Sequence, residues 1–72
     1  MRYVIFEGET MSEESILLES KDRDFAVRTF ERDGYEWHLR HLGETKTEKA
    51  QEARPCLVAV EGDTIDHIIA IA

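Results

Sequence analysis

Four side chains of this chain have the chemistry to ligate a metal or to act as nucleophile and base: His38, His41, Cys56 and His67. Zinc sites draw on such residues in fours, but they bring them together through short, regular ligand spacings. Here there is no Cys-x-x-Cys pair, and on a strand His38 and His41 would point to opposite faces. Cys56 and His67 match a thiol–imidazole pair in residue type alone, since a working pair needs an exposed, activated thiolate. The four glycines, Gly8, Gly34, Gly43 and Gly62, are isolated and form no phosphate-cradling loop. The sequence therefore assigns no catalytic residue, no metal ligand and no cofactor, and a non-enzymatic role is expected.

The carboxylates are the second candidate. Asp and Glu total 16 against 9 Lys and Arg, a net charge of −7. Residues 7–14 hold Glu7, Glu9, Glu13 and Glu14 and no base. Asp22 and Asp24 follow at a helix start, and Glu61, Asp63 and Asp66 lie in the last hairpin. Such charge keeps a small protein soluble, and it also repels nucleic acid and attracts basic surfaces. Direct nucleic-acid binding is disfavoured, because its affinity comes largely from Lys and Arg on phosphates. The expected partner is another protein with a basic surface, met by Glu7, Glu9, Glu13, Glu14, Asp22 and Asp24. Small acidic proteins of bacteriophages and mobile elements commonly work in this way, occupying a nucleic-acid-binding groove as inhibitors; that analogy is of class, and no motif carries it.

At 72 residues the chain is one small domain, 1–72, with a single cysteine and hence no internal disulfide. One unpaired cysteine suits a reducing compartment, and the first residues lack the apolar core of a signal peptide. No run approaches the ~18 apolar residues of a membrane span. A cytoplasmic protein without membrane contact is expected.

The elements that must position these residues are organised around the last hairpin. Residues 56–61 and 64–72 are β-rich runs separated by Gly62-Asp63, a pair suited to a two-residue loop. A regular ladder from that loop sets Val60 opposite Ile65, Val58 opposite His67 and Cys56 opposite Ile69. It collects Val60, Val58, Cys56, Ile65, His67 and Ile69 on one inward apolar face, with His67 buried close to Cys56. It also leaves residues 70–72 without a neighbour in the hairpin. Ile69, Ala70, Ile71 and Ala72 are thus candidates for self-association, and a homodimer or other structural homo-oligomer joined through this strand is the alternative function.

Upstream, residues 2–7 read as a strand and 8–14 as an acidic loop. Residues 15–20 lean to a strand, against a competing single helix over 12–32. A helix is expected from an N-cap at Ser20, with Asp22 and Asp24 in its first turns, to a left-handed Gly34 that would bring Tyr35 against Phe30. Residues 35–42 alternate as a half-buried strand, and 44–54 read as a mobile loop or frayed helix before Pro55 opens the next strand. The order β, β, α, β, loop, β, β makes an α+β domain: one main helix on a small, mostly antiparallel sheet of four to five strands, its core built from Phe25, Phe30, Tyr35, Trp37 and the terminal hairpin.

Overall fold

The computed structural model describes residues 1–43, 47, 50 and 53–72. The α+β expectation holds: strands β1 (Arg2–Glu7), β2 (Ile16–Ser20), β3 (Pro55–Glu61) and β4 (Thr64–Ile71) form one sheet in the order β2-β1-β3-β4, every neighbouring pair antiparallel. Helix α1 (Arg23–Arg40) packs on one of its faces.

The two-residue loop forms as the sequence suggests. Glu61 pairs with Thr64, and Gly62 takes a φ of +60° while Asp63 does not turn left-handed. That is the arrangement in which glycine is needed at the first loop position. Beyond the loop the regular ladder breaks twice. Val60 pairs with Ile65, but Ala59 pairs with His67, so Asp66 is an extra residue; Val58 pairs with Ile68, but Leu57 pairs with Ala70, so Ile69 is a second. Each bulge advances β4 by one residue against β3. Two expectations fall with them. His67 is exposed at the turn end, its Nδ1 2.7 Å from Oδ2 of Asp66, rather than buried opposite Val58. The strand end is not unpaired: Ala70 and Ile71 face Leu57 and Cys56, and Ala72 donates its N–H to the Pro55 carbonyl at 3.0 Å.

The helix also departs from expectation. Its N-cap is Asp22, whose Oδ1 accepts the Phe25 N–H at 3.1 Å, while Ser20 sits two residues earlier and accepts the Asp22 N–H through its hydroxyl at 3.0 Å. Gly34 does not end it. The helix runs on to Arg40, with His41 as C-cap, and the left-handed glycine is Gly43, at φ +76°. Residues 35–40 are therefore helical and not a strand. The buried positions explain why: Ala26, Phe30, Gly34 and Trp37 recur at i, i+4, i+8 and i+11, one stripe of a single helix. Gly34 lies in that stripe because it faces the end of β4; a methyl there would sit 3.5 Å from the Ala72 Cβ. Tyr35 is consequently 66% exposed and Phe25 lies outside the core, whereas Trp37 is buried.

Both faces of β3 are buried. On the helix side Ile5 and Leu57 pack with Ala26 and Phe30, flanked by Tyr3, Leu18 and Ile69. On the other side Val4, Phe6, Cys56, Val58 and Val60 form a second cluster, bordered by Met11 and Ile16. The segment expected as a loop or frayed helix over 44–54 lies mostly outside the described residues. Of its described members, Ala50 is fully buried, and its N–H is accepted by Thr47 Oγ1 at 3.2 Å.

Candidate functional site

The four candidate metal or catalytic side chains are kept apart by the fold. His38 lies on the last turn of α1 and His41 is its C-cap, their rings 4.7 and 5.3 Å from that of Trp37. His67 lies beside Ala59 on the helix-side face of the sheet, near the hairpin loop. Cys56 belongs to the opposite face. Burial pushes the Cys56 thiol up from its ordinary range, with the nearby Arg54 guanidinium opposing that shift, so the thiol stays protonated near neutral pH. Among the described residues no three His, Cys, Asp or Glu side chains gather as metal ligands would.

The acidic residues separate into two groups. Residues 8–15 connect β1 to β2, and the connection is held by the Ser15 hydroxyl, which donates to the Thr10 carbonyl at 2.8 Å and accepts the Ser12 N–H at 2.9 Å. Backbone bonds from Glu7 N–H to the Ser15 carbonyl and from Gly8 N–H to the Arg54 carbonyl tie it to the sheet. Glu7, Glu9, Glu13 and Glu14 therefore sit at one end of β1. Asp22 and Asp24 follow Ser20, which pairs with Tyr3 at the other end. At about 3.3 Å per residue, the strand between sets the groups roughly 15 Å apart. Asp22 is committed to capping the helix. Glu7 lies 3.9 Å from Arg40, and no ion pair is made by Glu9, Glu13 or Glu14 among the described residues. At the hairpin end the charge is mixed, since Arg2 pairs with Glu19 at 2.7 Å and donates to the Gly62 carbonyl at 3.2 Å.

The feature that sequence reasoning missed is on the face of the sheet opposite α1. The two bulges in β4 convert its two-residue alternation to a spacing of three, so Ile65, Ile68 and Ile71 pair with Val60, Val58 and Cys56 and stand on one face. They are 40%, 58% and 48% exposed and form one wall of an open groove of ≈ 270 Å³. Phe6, Cys56 and Val58 make its floor, and Gly8, Glu9 and Arg54 close it on the remaining side. Of the four residues expected to associate, only Ile71 reaches this groove, while Ile69, Ala70 and Ala72 pack against the helix-side core. The i, i+3, i+6 isoleucine spacing is the signal that could have revealed the groove, but it has this meaning only if two bulges intervene.

The fold and groove define a two-layer α+β domain with a partly uncovered sheet face. Compared with known proteins, the chain matches no family model, no curated protein and no solved structure. Among the described residues no helix is long and apolar enough to cross a membrane.

Proposed function

We propose that the protein is a small, acidic, non-enzymatic protein-binding module that docks on a basic surface of another protein, of the kind that otherwise holds nucleic acid, and acts there as an inhibitor. The supporting observation is the β1–β2 connection, a hydrogen-bonded segment that presents Glu9, Glu13 and Glu14 at the surface with no cation paired to them among the described residues. Carboxylates left unpaired on an ordered segment contribute to a field that steers a basic partner and sets its orientation. The net charge of −7 extends that attraction beyond the contact itself.

The test is capture of partners from source-cell lysate at low and high salt, using the wild type and a Glu9→Gln, Glu13→Gln, Glu14→Gln variant. A control variant carries Glu31→Gln, Glu36→Gln and Asp63→Asn, which changes the net charge equally at other exposed positions. The expected result is a defined partner held at low salt, released at high salt, and lost in the first variant but kept in the control. Capture indifferent to salt, or weakened equally by both variants, would remove the reading.

A further inference from the structure

We draw no further inference here: the strongest candidate, the open apolar groove that Ile65, Ile68 and Ile71 of β4 form with Phe6, Cys56 and Val58 on the sheet face opposite α1, carries none, because nothing in the structure shows what covers it.

Discussion

On the helix side of the sheet, Ile5 and Leu57 meet Ala26 and Phe30 of α1, and the flanking Tyr3, Leu18 and Ile69 are partly enclosed with them. On the opposite side, Val4, Phe6 and Val58 are buried as deeply, away from α1 and bordered by Met11 and Ile16. The two faces differ at β4. There the helix side encloses Ala70 and Ala72, and the other side leaves three isoleucines in contact with water. Interior strands can be covered by their own neighbours, whereas an edge strand has a neighbour on one side only and depends on another layer. Helix α1 supplies that layer on one face.

The largest effects should fall where the helix closes the core. Trp37→Ala removes a side chain that is 1% exposed and should cost about 3–5 kcal/mol. Leu57→Ala, on the helix face of β3, should cost about 2–5 kcal/mol. Ile68→Ala should cost less than about 1 kcal/mol, because the side chain already stands largely in water. Urea denaturation at low protein concentration checks all three. Equal losses for Leu57→Ala and Ile68→Ala would erase the distinction between the faces.

A smaller loss is expected at the start of the helix. Asp22→Ala forfeits the acceptor for the Phe25 N–H and should cost about 1 kcal/mol. Ser20→Ala should cost less, since Ser20 bonds a residue outside the helix body. The reverse order in thermal melts would return the cap to the position that the sequence suggests.

Gly34→Ala should stabilise the protein by about 0.5–1 kcal/mol, since Gly34 is helical and the added methyl meets the Ala72 Cβ at an ordinary contact distance. A destabilised variant would mean that the helix and the end of β4 approach more closely than 3.5 Å allows.

The smallest effect is pH dependence from Cys56. Its thiol titrates above the ordinary range in the folded chain because burial disfavours the thiolate. The folded protein therefore keeps a proton that the unfolded chain releases. The associated stability is present below the unfolded thiol value, near pH 8.5, and is lost as pH climbs through the folded one. Urea midpoints between about pH 8 and pH 10 should fall more steeply for the wild type than for Cys56→Ala. Parallel curves would place the thiol in a wetter setting than the groove floor.

Much of the architecture was legible because it rests on short-range chemistry. Gly62-Asp63 marks its loop through a backbone conformation that glycine adopts freely, and the β-rich runs at 2–7 and 55–61 are strands as expected. The helix boundary was not legible. Gly34 is a plausible helix stop in sequence, and Tyr35, Trp37, Leu39 and His41 alternate as a strand would. Against this, Ala26, Phe30, Gly34 and Trp37 keep helical period when the glycine is counted as a buried position. A glycine at a close approach and a glycine at a helix end are the same letter, and what it packs against separates them.

The candidate site was less legible still. Glu9 and Ile71 were both expected to contact partners, but as members of separate surfaces; the fold sets them on one groove. By itself the sequence determined the composition of this protein, namely its excess of carboxylates, its single thiol, its turn and its strand-forming runs, because these depend on residue identity and nearest neighbours. The tertiary structure alone decided register. The bulges at Asp66 and Ile69 exist only against β3, and each shifts every later side chain of β4 by one position. Those two shifts moved His67 out of the core, turned Ile68 onto the open face that Ile65 already shared, and set Ile71 opposite Cys56 there.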